Sequence, residues 1–169
     1  IEAAEIASGM KPGRSRHFAF EKLATFDAQA WAKVQEADTG PTPEMRYYGS
    51  DKDPGAIRMS LANAERAGVS AITNFSQETM ANLHAPDCPP GLVIINPPYG
   101  MRIGEKSALR GLYRTIGTTL TARFSGWRVG LISPEMELAQ ATDLPFTPSI
   151  GPISHGGLRV SLFLTGPIG

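Results

Sequence analysis

One decapeptide constrains this chain more than any other stretch: Gly91-Leu92-Val93-Ile94-Ile95-Asn96-Pro97-Pro98-Tyr99-Gly100. The short apolar run Leu92–Ile95 reads as a buried strand. It cannot extend past Asn96. Two successive prolines fix φ twice, remove two N–H donors and push the residue before them out of the helical region. The Asn96 carboxamide and the carbonyls of the Pro97-Pro98 unit are therefore held as outward-facing acceptors at a strand's carboxyl end. The flat ring of Tyr99 lies beside them. In open α/β sheets ligands bind at that edge. The alternative is purely structural: a rigid proline turn with a surface tyrosine.

The rest of the chain alternates helix and strand signals. Residues 1–10 look helical, and 11–17 form a loop with the positive cluster Lys11, Arg14, Arg16 and His17. Residues 20–36 have helical spacing, with Phe20, Leu23, Phe26, Trp31 and Val34 on an apolar side. The run 40–43 breaks that pattern. Residues 45–50 read as a strand. Asp53 then caps a helix with Pro54 at its first position, running to Ala67 and closed by Gly68. A strand over 69–75 follows, then a helical turn over 77–83 and a linker over 85–90. Beyond the motif come a glycine-flanked loop over 101–105 and the clearest helix, 107–124, with Leu109, Leu112, Tyr113, Ile116, Leu120 and Phe124 on one face. A strand over 127–133, a short helix over 135–141, and strands over 147–153 and 158–165 complete the chain. Ser154-His155-Gly156-Gly157 joins the last two as a hairpin. Strands alternating with helices, then a hairpin, predict an α/β sheet with one antiparallel member.

Composition bounds the function. At 169 residues the chain is expected to form one domain with a real core. No apolar run approaches the roughly 18 residues of a membrane span, and no basic, apolar leader opens the sequence. Cys88 is the single cysteine, so there is no disulfide framework, and His84 lacks a partner at ligand spacing, so no metal site is expected. A cytoplasmic protein is the default. The 16 basic and 16 acidic residues cancel, whereas a free-standing nucleic-acid binder is usually basic. Either the substrate is small or another domain grips the nucleic acid.

The Asn-Pro-Pro-Tyr turn suits methyl transfer to an exocyclic base amine. That nitrogen is a poor nucleophile, because its lone pair is delocalised into the ring. Two acceptors that take both N–H bonds favour a pyramidal nitrogen and aim its lone pair at a methyl donor. An aromatic face holds an extruded base by stacking. The four residues match the amino-methyltransferase motif of the class I S-adenosylmethionine-dependent fold.

The chain as a whole resembles the catalytic domain of the THUMP-associated RNA methyltransferases, and within them the rRNA guanine-N2 methyltransferases. Many relatives carry the older label of adenine-specific DNA methylase. The resemblance rests on Ile1-Glu2-Ala3-Ala4, Pro12-Gly13 with Arg16-His17-Phe18-Ala19-Phe20-Glu21-Lys22, Gly49-Ser50-Asp51-Lys52-Asp53, Asn63-Ala64 with Ala67-Gly68-Val69, Asn96-Pro97-Pro98-Tyr99-Gly100 with Arg102, and Leu112-Tyr113 with Gly117. It implies a Rossmann-like class I sheet with a C-terminal antiparallel hairpin, and S-adenosyl-L-methionine as cofactor. It implies RNA as partner, 23S rRNA in particular, gripped by a THUMP module absent from this chain. In this family a glycine-rich cofactor loop and its strand directly precede Ile-Glu-Ala-Ala. The expectation is therefore that residues 1–169 are one catalytic domain lacking the first strand and that loop.

The site residues follow. Asn96 is expected as a side-chain acceptor and also among the cofactor-binding residues, Pro97 and Pro98 as the rigid backbone-acceptor unit, and Tyr99 as a stacking face. A carboxylate ending the second strand of such folds accepts from ribose hydroxyls; the resemblance assigns Asp51 to the cofactor ribose. Asp53 is read as a helix cap. Relatives place an Asp for the cofactor adenine at the position of Thr79, and Gln77 is the nearest candidate here. Arg102 reads either as a phosphate contact or as a solvated loop charge, the 11–17 cluster either as an RNA contact or as a charged loop, and His155 as a turn residue. Two other functions compete: adenine-N6 methylation of DNA or RNA, and a non-catalytic module that binds a nucleotide or a partner.

Overall fold

The computed structural model describes residues 1–36, 44–99, 106–148, 150–155 and 157–169. These fall into two units, 1–78 and 79–169. The break over 40–43, the loop over 101–105, Arg102, Gly100 and Gly156 lie outside the described residues, as does the side chain of His155.

The first unit contains α1 (Glu2–Ala7), α2 (Ala28–Gln35), β1 (Tyr47–Asp51), α3 (Pro54–Ala67) and β2 (Thr73–Gln77). β1 and β2 pair in parallel. Ala4, Ala64, Val69 and Ile72 form its small core, with Tyr47 and Phe75 packed against it. α3 has the expected bounds, because each end carries a local signal. The Asp53 carboxylate accepts from the Gly55 N–H, Pro54 occupies the first turn, and Gly68 closes the helix at φ 75.

Three expectations in this unit are corrected. The helix over 1–10 stops at Ala7, because Gly9 turns to φ 67. The single helix over 20–36 is instead a 3-10 turn, Ala19–Lys22, followed by α2. Asp27 interrupts it by accepting from Gln29 and Ala30 N–H at 2.9 and 3.0 Å, an N-cap that fixes the start of α2 at Ala28. The strand over 69–75 starts only at Thr73. The Val69 N–H is spent closing α3 on Ala64, and Ser70–Ile72 form one 3-10 turn. Gln77 thereby ends β2 rather than following it. Residues 45–50 likewise give way to Tyr47–Asp51.

The second unit holds β3 (Leu92–Ile95), α4 (Lys106–Arg123), β4 (Arg128–Ser133), α5 (Met136–Gln140), β5 (Ile150–His155) and β6 (Leu158–Leu164). Its sheet runs β3-β4-β6-β5. β3 and β4 are parallel, and β6 is antiparallel to both of its neighbours. That is the expected mixed sheet with one antiparallel member. Val93, Ile95, Val129 and Leu131 present one face to α4, whose Tyr113, Ile116, Leu120 and Phe124 are buried. The reading of β3 as a buried strand holds for one face only. β3 is an outer strand of this sheet, and Leu92 and Ile94 on its other face are 48% and 54% exposed. The hairpin is tighter than predicted. Ser154 and His155, two of the four residues expected in the turn, pair with Arg159 and Leu158. β5 begins at Ile150 and carries a bulge between Ile150 and Ile153, where the outer strand accommodates Pro152. Among the described residues no helix is long and apolar enough to cross a membrane.

Two glycines of α4 behave in opposite ways. A Cβ on Gly117 would stand 1.7 Å from the Thr142 carbonyl oxygen, whereas one on Gly111 would meet nothing within 4 Å. Gly117→Ala should therefore destabilise the protein by about 1–3 kcal/mol or more through overpacking. Gly111→Ala should stabilise it by about 0.5–1 kcal/mol through helix propensity. Urea unfolding measures both; changes of the same sign would contradict the close approach at Gly117.

Candidate functional site

In the first unit the carboxyl ends of β1 and β2 bring Asp51 and Gln77 together as register partners. One Asp51 oxygen accepts from the Asp53 N–H at 2.8 Å, and the Asp51 carbonyl accepts from the Glu78 N–H at 3.0 Å. These bonds fix the turn that points the chain into α3. Asp53 uses its own carboxylate on Gly55, as a cap should. Gln77 donates Nε2 to the Lys52 carbonyl at 3.2 Å. The second Asp51 oxygen and Gln77 Oε1 have no partner among the described residues, and both residues are exposed. This edge therefore offers acceptors for hydroxyl or amine donors. Thr79 precedes a 3-10 turn, Met80–Asn82, without a side-chain cap bond.

In the second unit the chain leaves β3 through Asn96, Pro97, Pro98 and Tyr99. Pro97 is buried, Asn96 and Pro98 are exposed, and Tyr99 is half-buried. Burying Pro97 anchors the turn while the side chains on either side of it remain accessible. Neither the Asn96 carboxamide nor the Pro97 carbonyl has a hydrogen-bond partner among the described residues.

Sequence reading missed a second group here. Tyr113 of α4 is fully buried, and its hydroxyl lies 3.4 Å from Ser133 Oγ at the end of β4. Burial pushes the Tyr113 hydroxyl above its usual range; the Ser133 hydrogen bond opposes this, and the nearby Glu135 and Tyr99 add to it. Ser133 Oγ also engages the Glu135 carbonyl and N–H at 3.1 and 3.2 Å. The missed signal is Ser133-Pro134-Glu135. It is a proline turn after an apolar strand, of the same kind as Asn96-Pro97-Pro98-Tyr99.

The basic loop is committed to the fold. Arg14 bridges Glu5 at 2.7 Å and donates to the Ala67 carbonyl at 2.7 Å. Lys11 donates to the Val34 and Glu36 carbonyls. Arg16 lies 4.4 Å over the Phe18 ring, and His17 pairs with Glu21. All four side chains stay exposed while making these contacts, which are compatible with either reading of the loop.

The sequence matches the family described as RMKL-like, methyltransferase domain, over residues 1–147. The chain belongs to that family. It is 38% identical over 153 residues to the ribosomal RNA large subunit methyltransferase K/L of Chromohalobacter salexigens, across 85% of this chain and 21% of the relative. It thus spans about a fifth of the length of the curated relatives it matches. Its fold is similar to that of a possible methylase from Clostridium difficile 630, with a TM-score of 0.87 and 26% identity over 99% of this chain and 45% of that one. The structure of SMU.472 complexed with SAH gives the same TM-score of 0.87 at 24% identity, with the same coverage, 99% and 45%. The class I methyltransferase architecture expected from the sequence is therefore the observed one. In the RMKL-like domain described here, the two candidate edges follow from it as the carboxyl ends of parallel strands.

Tyr113 carries a pH prediction. Its folded pKa is raised, so between about pH 10 and the folded value the folded state holds a proton that the unfolded chain has lost. Stability is fully present below about pH 10 and falls above it. Tyr113→Phe should flatten this alkaline loss, and at neutral pH should cost about 0.5–1.5 kcal/mol for the lost bond. Urea midpoints at about pH 8 and about pH 11 test it; an unchanged difference between the two would contradict the buried, protonated hydroxyl.

Proposed function

We propose that this chain carries the catalytic core of an enzyme that transfers a methyl group from S-adenosyl-L-methionine to the N2 amine of a guanine in large-subunit rRNA. The observation that carries the reading is the pair of acceptors, Asn96 side chain and Pro97 carbonyl, held at the end of β3 beside the half-buried Tyr99 and without partners among the described residues. Asn96 and Pro97 take the two N–H bonds of the amine and leave its lone pair directed away from the base plane. Tyr99 holds the extruded base by its ring face. The cofactor supplies a methyl carbon on a sulfonium, released to the amine as the carbon–sulfur bond breaks. The surplus proton of the amine passes to water, so no side chain with a pKa tuned near neutrality is required.

Asp51 and Gln77 suit the adenosine part of that cofactor. The open Asp51 oxygen accepts from a ribose hydroxyl, and Gln77 Oε1 accepts from an amine. The rRNA substrate is supported by the name of the Chromohalobacter salexigens relative. Guanine N2 is supported by the resemblance of the whole chain to that group of enzymes. With net charge zero and the 11–17 loop tied into the fold, the grip on RNA phosphates is assigned to a THUMP module elsewhere in the full-length protein. The cytoplasm is the corresponding site of action.

The test is methylation of protein-free rRNA by the full-length protein with labelled cofactor, followed by nucleoside analysis. N2-methylguanosine is expected. N6-methyladenosine in its place would contradict the base, and no transfer would contradict the activity. Asp51→Ala should weaken cofactor binding by about 1.5–3 kcal/mol, as for hydrogen bonds to a charged group. Asp53→Ala should instead cost about 0.5–2 kcal/mol of stability, as for a lost cap. Calorimetry distinguishes them; equal losses of affinity would remove the assignment of Asp51.

A further inference from the structure

Two residues past the end of β4, the strand paired with β3, stands Glu135, whose carboxylate has no part in the proposed methyl transfer. β3 and β4 are parallel with Ile95 opposite Leu131, which sets the level of residue 97 against that of residue 133. Neighbouring strands lie about 4.8 Å apart. The segments that leave the two strands, Asn96–Tyr99 and Pro134–Glu135, therefore start from the same edge of the sheet on adjacent strands. Ser133 is fully buried, and its hydroxyl is saturated. It donates to the Glu135 carbonyl at 3.1 Å and accepts from the Glu135 N–H at 3.2 Å and the Tyr113 hydroxyl at 3.4 Å. One donor and two acceptor sites are all a serine hydroxyl has. The backbone of Glu135 is thus pinned on both sides, to a buried side chain that is itself anchored by α4. The Glu135 side chain is exposed, and its carboxylate makes no hydrogen bond or ion pair among the described residues.

We infer that Glu135 is a specificity-determining residue that accepts a hydrogen bond from the N1–H of the target guanine. The inference rests on the guanine-N2 reading above. On guanine, N1–H is the next donor along the edge from the C2 amine. With the amine occupied by Asn96 and Pro97, N1–H is the group presented to a neighbouring wall. A carboxylate can only accept. It attracts N1–H and repels the bare N1 lone pair that adenine or 2-aminopurine would place there, so one side chain both selects and rejects. Pinning the Glu135 backbone through Ser133 and Tyr113 keeps that acceptor in place without strapping the carboxylate itself to the protein.

The experiment uses the full-length protein and protein-free rRNA whose mapped target carries either guanine or 2-aminopurine. Both bases present the same C2 amine, but only guanine has N1–H. In single-turnover methylation the unaltered protein should prefer guanine roughly 10–100-fold, the size expected for a charged acceptor that stays partly solvated. Glu135→Gln can donate as well as accept, and should bring the two rates within about threefold, chiefly by slowing guanine. Transfer to 2-aminopurine at the parental rate or faster would show the variant folded. Glu135→Ala should also lose the preference. An unaltered protein with no preference, or variants that keep it or lose both rates alike, would overturn this inference alone. No transfer to either base by the unaltered protein, or a mapped product that is methyladenosine, would overturn the proposed function and this inference with it.

Discussion

Parallel pairing of β3 with β4 is the constraint on which the second unit depends. Because the strands run the same way in register, everything that follows either of them emerges at one edge. The pairing also aligns Val93 and Ile95 with Val129 and Leu131, the apolar face that α4 covers. Gly117 leaves room on the same helix for the close approach of the Thr142 carbonyl. Once seated, it carries Tyr113 beneath the two strand ends, where the tyrosine fixes Ser133. Packing, capping and the candidate chemistry of this unit are thus consequences of one strand register.

The polar groups left open at both edges share a character. Among the described residues, one Asp51 oxygen, Gln77 Oε1, the Asn96 carboxamide, the Pro97 carbonyl and the Glu135 carboxylate are without partners, and each offers an acceptor. The exposed basic side chains of the 11–17 loop contact Glu5, Glu21, Phe18 and backbone carbonyls. Acceptor-lined edges favour ligands that arrive with hydroxyl and amine donors, such as a ribose, an adenine amine or a guanine edge.

What could be read from the sequence was what is decided locally. α3 was legible because Asp53, Pro54 and Gly68 each act on their own neighbours. The end of β3 was legible because two prolines terminate a strand wherever they stand. The continuous helix over 20–36 was misread because its apolar spacing fits one face, and spacing does not reveal that Asp27 will cap rather than face solvent. Residues 69–72 look like strand but serve to close α3, a role fixed by the Ala64 carbonyl and not by their own propensity. The Tyr113–Ser133–Glu135 group escaped for a different reason. Tyr113 and Ser133 are 20 residues apart and meet only because α4 packs on β4.

The central claim is that the Asn96 turn positions a base amine and does not merely end a strand. The most direct measurement is single-turnover methylation of protein-free rRNA by full-length Asn96→Ala, with cofactor affinity measured on the same preparation. Losing one positioned acceptor should slow transfer by on the order of 3–4 kcal/mol in barrier, by analogy with deletion of an oxyanion-hole donor, while cofactor affinity stays near that of the unaltered protein. Transfer at the parental rate would show that the turn is structural and contradict the account.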